Sequence, residues 1–163
     1  MLPAHNYLEQ LHIPYSIASF PQSTAKGAAS VAAVLGLTVH QTVKTLIFKS
    51  NQGEAVLVMV SADQNVISGH LKKVVGSRNV QLASSEEVIR TTGYPIGSIP
   101  PFSWQPSGFR SFLDRALTQQ DVLAVGAGIW GNEILITPAN LIHACQAIVV
   151  NLTDRDQPIF TPA

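Results

Sequence analysis

At 163 residues, 46% of them hydrophobic and 12% charged, the chain is long enough to bury one sizeable core and too short to favour two. Ten basic and ten acidic residues cancel to a formal charge of zero, with a mean hydropathy of +0.22; this excludes a protein that holds long nucleic acid, DNA above all, through its overall field. The sole cysteine, Cys145, excludes an internal disulfide and a multi-cysteine metal site, and no apolar run approaches the roughly 20 residues of a membrane span.

The N-terminal stretch, with Pro3, His5 and Asn6 before Glu9, lacks the basic region and apolar run of a secretory signal, so a cytoplasmic location without membrane contact is the expectation. His5, His12, His40, His70 and His143 have no metal-binding helical spacing, and neither a metal nor another cofactor is expected. Leu8, Leu11 and Ile13 predict an amphipathic helix that stops before Pro14, because the residue preceding proline is pushed out of the helical region. Tyr15 to Ala18 reads as a strand. Thr24 to Leu35, alanine-rich with Val31, Val34 and Leu35 on one face, predicts a helix capped by Ser23 or Thr24 and ended by Gly36.

Thr45 to Phe48 and Val56 to Val60 are strand-like runs joined through Asn51-Gln52-Gly53, a hairpin signal that puts Lys44 at a strand beginning. Val66 to Val75 predicts a helix closed by Gly76, and Val80 to Leu82 a short strand. Ser84 and Glu87 stand at capping-box spacing and open a helix that ends at Gly93. A long loop then runs to about Gly108, long enough to carry function. Phe109 to Leu113, Val122 to Val125 and Glu133 to Ile136 read as strands, Thr137-Pro138 caps a helix to about Cys145, and Ala147 to Leu152 is a last strand. Residues 1–152 read as one domain and 153–163 as a loose Pro/Asp tail. Interleaved helices and strands with at least two hairpin-like pairs predict a mixed α+β domain.

Two segments point to chemistry. A lysine starting an apolar strand can hold a point charge at a sheet's rim, and the loop Gly93-Tyr94-Pro95-Ile96-Gly97-Ser98-Ile99-Pro100-Pro101-Phe102 can bring backbone N–H groups close to a ligand. Each taken alone has an ordinary alternative, a solvated lysine and a plain turn. The whole order is more specific: Pro21, the stretch Thr24 to Leu37, Val43-Lys44-Thr45-Leu46, the loop from Gly93 to Phe102, Gly126-Ala127-Gly128, and Ile134 to Leu141. Over residues 3 to 152 this order resembles the YbaK-like aminoacyl-tRNA deacylases, which include the editing domain of bacterial prolyl-tRNA synthetases and free-standing relatives. Lys44 and Gly97-x-x-x-Pro101 are the most specific marks of that resemblance.

The resemblance implies a mixed, partly split β-sheet with surrounding helices. It further implies a hydrolase that cleaves a mischarged aminoacyl-tRNA of a small amino acid such as alanine, cysteine, serine or threonine. In that setting Lys44 would bind a phosphodiester or a developing oxyanion, and Gly97 would offer a backbone N–H to the ester carbonyl. Pro101 would shape the loop, and Gly126 and Gly128 would wall the aminoacyl pocket; apart from the resemblance, Ser61, Ser98 and Ser103 could each position water, though none carries a motif. Tyr94 could stack on the terminal adenine or simply pack in its loop. Asn132 could meet the aminoacyl group or be a turn residue, and it stands about where some alanine-specific members carry a histidine. The implied partners are the aminoacyl-tRNA 3′ end and a synthetase.

No Gly-x-Ser-x-Gly elbow, P-loop, zinc motif or Rossmann fingerprint is present. A non-catalytic binding module of the same fold therefore stays as the alternative. Asp114 reads as a loop cap rather than a base, Cys145 as a small buried hydrophobe, and Lys72, Lys73 and Arg78 as a solvated helix face.

Overall fold

The run Ala55-Val56-Leu57-Val58-Met59-Val60 is apolar without alternation, as expected of a strand covered on both faces, and it is the centre of the molecule. In the computed structural model, which describes residues 1–160, it forms β3 (Ala55–Ser61). It follows β2 (Val43–Ser50) through a hairpin whose Gly53 has φ +88°. Leu57 and Met59 enter one core, while Val56, Val58 and Val60 enter a second on the opposite face.

The remaining elements are α1 (Pro3–Gln10), β1 (Ser16–Ser19), α2 (Ala28–Leu35), α3 (Ser68–Val75), β4 (Val80–Leu82), α4 (Ser85–Thr92), β5 (Arg110–Asp114), β6 (Leu123–Gly126), β7 (Asn132–Ile136), α5 (Pro138–Cys145) and β8 (Ile148–Val150), with single 3₁₀ turns at Val39–Gln41 and Arg115–Gln119. They build a five-stranded sheet in the order β4-β2-β3-β5-β8 and a three-stranded sheet in the order β1-β7-β6. The β2–β3, β2–β4, β1–β7 and β6–β7 pairs are antiparallel, whereas β3–β5 and β5–β8 are parallel. A parallel bridge, Thr42 to Ala124, joins the sheets. The fold is thus the single α+β domain with a mixed, partly split sheet and surrounding helices.

The first core lies between the sheets and gathers Leu8 of α1, Val88 of α4, Leu141 of α5, and Ile99 and Phe102 of the long loop. The second takes Leu71, Val74 and Val75 from α3. At α4 the predicted capping box is present: Glu87 N–H donates to Ser84 Oγ at 3.2 Å, and Ser84 N–H donates to Glu87 Oε1 at 3.1 Å.

Two expectations are corrected. The helix expected from Thr24 begins at Ala28, because Thr24 N–H closes a turn on the Pro21 carbonyl and Gly27, at φ +116°, cannot be part of a right-handed helix. Gly27 is the N-cap, and neither Ser23 nor Thr24 is. The tail from 153 is also held down as far as the described residues reach. Asp114 Oδ1 accepts from Leu152 N–H at 2.8 Å and its Oδ2 from Thr153 Oγ1 at 2.7 Å. Asn151 Nδ2 donates to the carbonyls of Asp154 and Gln157, and Phe160 bridges to Val150. Residues 161–163, the end of the expected tail, lie outside the described residues.

Candidate functional site

Strand β4 pairs with β2 only along Phe48–Ser50, and the bridge to β6 is made at Thr42. Between those points the outer edge of Val43, Lys44, Thr45 and Leu46 has no strand laddered to it. A cleft of about 320 Å³ opens along this edge. Its other walls are Gly27, Ala28 and Val31 at the start of α2, Ile96, Gly97 and Ile99 of the long loop, Ala124 and Gly126 of β6, Trp130, and Glu133 of β7. The cleft therefore lies where the two sheets part.

Lys44 is half-buried, and its Nζ donates to the Gln64 carbonyl at 2.7 Å. One bond leaves the ammonium two further donors. The loop facing it is anchored rather than free. Ile99 and Phe102 are buried in the first core, Trp104 Nε1 donates to the Pro100 carbonyl at 2.6 Å, and Gln105 Nε2 donates to the Pro101 carbonyl at 2.8 Å. Ile96 and Gly97 project from those anchors to the cleft, both exposed, with Gly97 at φ +93°.

The remaining expected residues divide. Gly126 lines the cleft, and a Cβ there would come within 3.0 Å of the Ile99 carbonyl oxygen, so glycine lets the loop lie against β6. Ser98 is buried beside it at that crossing, and Pro101 is buried among the loop anchors, so both sit behind the cleft wall. Gly128 packs on the Tyr94 ring, where a Cβ would lie 2.8 Å from the ring carbons. Tyr94 itself packs, partly buried, against the first core and is outside the cleft lining. Asn132 pairs with Ser19 across β1 and does not line the cleft; its neighbour Glu133 does, because successive strand residues point to opposite faces.

Glu133 is the residue that sequence reasoning missed. It is 8% exposed, and desolvation by burial pushes its carboxyl up to about 7. In register it stands between Ala18 of β1 and Gly126 of β6, so no large side chain crowds it within the sheet. The available signal was a lone acid opening the apolar run Glu133-Ile134-Leu135-Ile136. Trp130 was missed as well: it lines the cleft, meets Phe20 edge-on at 4.9 Å between centroids, and lies under Lys26 Nζ at 3.8 Å.

Other candidate groups are accounted for elsewhere. Cys145 Sγ donates to the Leu141 carbonyl at 3.0 Å, and burial pushes its thiol up to about 12, leaving no thiolate at neutral pH. Asp114 is spent on the strap at 152–153. Among the described residues no group of three or more His, Cys, Asp or Glu side chains is placed to hold a metal ion.

The family described as "Aminoacyl-tRNA editing domain" matches residues 22–144, a span that contains every cleft residue. The "Multifunctional Ser/Thr-tRNA deacylase ProXp-y" of Escherichia coli strain K12 is 29% identical over 126 residues, 75% of this chain and 75% of that protein. The proline–tRNA ligase of Pelobacter propionicus is 33% identical over 102 residues, 63% of this chain but 18% of the ligase, so the chain corresponds to under a fifth of that enzyme. A crystal structure provisionally described as a trans-editing enzyme for prolyl tRNA synthetase superposes with a TM-score of 0.83 at 28% identity, covering 93% of this chain and 95% of its own. A second, of a hypothetical protein, gives 0.85 at 26% identity over 93% and 99%. With a family match over most of its length and a cleft built from that same span, the chain belongs to the aminoacyl-tRNA editing domain family.

Proposed function

We propose that the chain is a trans-editing hydrolase that cleaves the ester joining a wrongly attached small amino acid to the 3′ end of a tRNA, in the cytoplasm. The observation that carries this reading is the meeting of Lys44 and Gly97 across one cleft at the free edge of β2. These residues lie far apart in sequence and come from different elements. A single cation beside an exposed glycine backbone suits a substrate that is already activated and needs mainly positioning and stabilisation of negative charge.

In this account Lys44 grips the terminal phosphodiester or the oxyanion that forms as the ester carbonyl is attacked, while the Gly97 backbone N–H is offered to the same carbonyl. Water, or a nucleophilic group on the aminoacyl moiety itself, attacks the carbonyl carbon and gives up its proton; the bond to the tRNA oxygen breaks, and that oxygen takes up a proton. With water as nucleophile the free amino acid and uncharged tRNA leave. A small aminoacyl group such as alanine, cysteine, serine or threonine is supported by the similarity to the Ser/Thr-tRNA deacylase of Escherichia coli. The partner is the aminoacyl-tRNA 3′ end, and a synthetase that releases the mischarged product is the natural second partner.

The test is hydrolysis of a panel of tRNAs charged with alanine, cysteine, serine, threonine and proline. Cleavage of one or two of them above the spontaneous rate is expected. No cleavage across the panel would favour a binding module of the same fold.

A further inference from the structure

Among the described residues the cleft is lined by two charged side chains, Lys44 from the five-stranded sheet and Glu133 from the three-stranded one. Lys44 has the Gln64 carbonyl as partner. Glu133 has no hydrogen bond and no ion pair among the described residues, although it is more than nine-tenths buried. Its β-sheet neighbours Ala18 and Gly126 bring neither charge nor a polar side chain. The Gly97 loop contributes only Ile96, Gly97 and Ile99 to the cleft, and the start of α2 only glycine, alanine and valine. Lys26, next in sequence to the cleft residue Gly27, has its ammonium on the Trp130 ring and does not line the cleft. A buried carboxyl without a partner is costly to keep, and a ligand that brings a cation would offset that cost.

We infer that Glu133 is a specificity-determining residue that recognises the free α-ammonium group of the aminoacyl ester. The inference rests on the deacylase reading of the cleft. The charged end of such a substrate has two poles, an ammonium on the amino acid and negative charge on the phosphodiester and on the carbonyl oxygen during attack. The cleft has the matching two poles on its opposite sheets. Lys44 repels the ammonium and attracts the anion, and Glu133 does the reverse, so the pair fixes which way round the ester lies. An α-ammonium beside Glu133 also supplies the opposite charge that keeps its carboxylate ionised. Because Glu133 is mostly buried, the pair is screened less than one between two exposed side chains. The consequence is selection for a free amine, so that an ester whose amino group has been acylated is a poor substrate.

The experiment compares an aminoacyl-tRNA cleaved in the panel with its N-acetylated counterpart, using wild type and Glu133→Gln, whose side chain has nearly the same shape. Wild type is expected to favour the free amine by about 10- to 100-fold in kcat/KM, the range a charge-assisted hydrogen bond contributes. The difference should lie mainly in KM. In Glu133→Gln the preference is expected to collapse, by loss on the free-amine substrate alone, while cleavage of the N-acetylated form is unchanged. A preference that persists in Glu133→Gln would show that the cleft rejects the acetyl group by shape and would overturn the inference. An equal fall on both substrates would mean that Glu133 acts on the ester or its attacking water, and would overturn it too. Absence of hydrolysis by wild type on every free-amine substrate would instead remove the deacylase reading itself.

Discussion

Replacing Glu133 by glutamine removes a titration whose size follows from burial. Its folded-state carboxyl is pushed from 4.5 to about 7, with desolvation as the cause. A group whose proton is held more tightly in the folded than in the unfolded chain contributes fully to stability below pH 4.5; that contribution is lost as pH rises through about 7. At 1.36 kcal/mol per pH unit the displacement corresponds to about 3 kcal/mol. Glutamine does not titrate, so the stability of wild type relative to Glu133→Gln should decline by up to about 3 kcal/mol between pH 5 and pH 8. Taking the difference between the two proteins cancels the titrating groups that do not interact with residue 133. The assay is urea denaturation of both at pH 5, 6, 7 and 8, compared through ΔG at constant m. Stability curves that run parallel across this range would refute the claim that Glu133 is desolvated in the cleft wall.

Three further outcomes follow from the packing. Gly128→Ala puts a Cβ 2.8 Å from the Tyr94 ring at φ +109°, so it should lose about 1–3 kcal/mol of stability in the same denaturation assay, and the ring should shift, visible in tyrosine chemical shifts. Asp114→Ala removes both acceptors from the 152–153 strap, so amide exchange at residues 151–160 should accelerate while β2 and β3 stay protected, with a loss of about 2–3 kcal/mol overall. Cys145, half-buried with its thiol bonded to the Leu141 carbonyl and held protonated, should react only slowly with a thiol alkylating reagent at pH 8 and faster as the protein unfolds; fast labelling of the folded protein, or loss of hydrolysis on labelling, would contradict its assignment as inert.

Local signals carried most of the fold. The Ser84–Glu87 capping box, the hairpin at Asn51-Gln52-Gly53 and the left-handed glycines at 76 and 93 each determine structure within a few residues, and each was legible. The unbroken apolar run of β3 likewise announces a strand with both faces covered. What could not be read depends on distant partners or on direction. The clamp from Asp114 reaches 38 residues along the chain, so 153–160 looked loose when only composition was considered. The late start of α2 depends on the unusual φ of Gly27, which glycine permits but does not impose. In the site, Lys44, Gly97 and Gly126 were identified as a group and meet in one cleft. Asn132 was named from its place in the segment after Gly128, and Glu133 was not considered, because the residues marking the segment do not say which face of β7 turns to the cleft and a one-residue difference reverses the face. Tyr94 was ambiguous for a similar reason: only the approach of Gly128 shows what its ring touches.

The most direct test of the central claim is single-turnover deacylation of the best panel substrate by wild type and Lys44→Ala, with an unfolding curve for each. Removing Lys44 forfeits one hydrogen bond to the Gln64 carbonyl, about 1 kcal/mol, so the variant should remain folded. Its cleavage rate should fall by about 100- to 1,000-fold, as when a single preorganised oxyanion donor is removed. Full activity in a folded Lys44→Ala protein would contradict the account, because the cleft would then be cleaving its substrate without the one cation that lines it among the described residues.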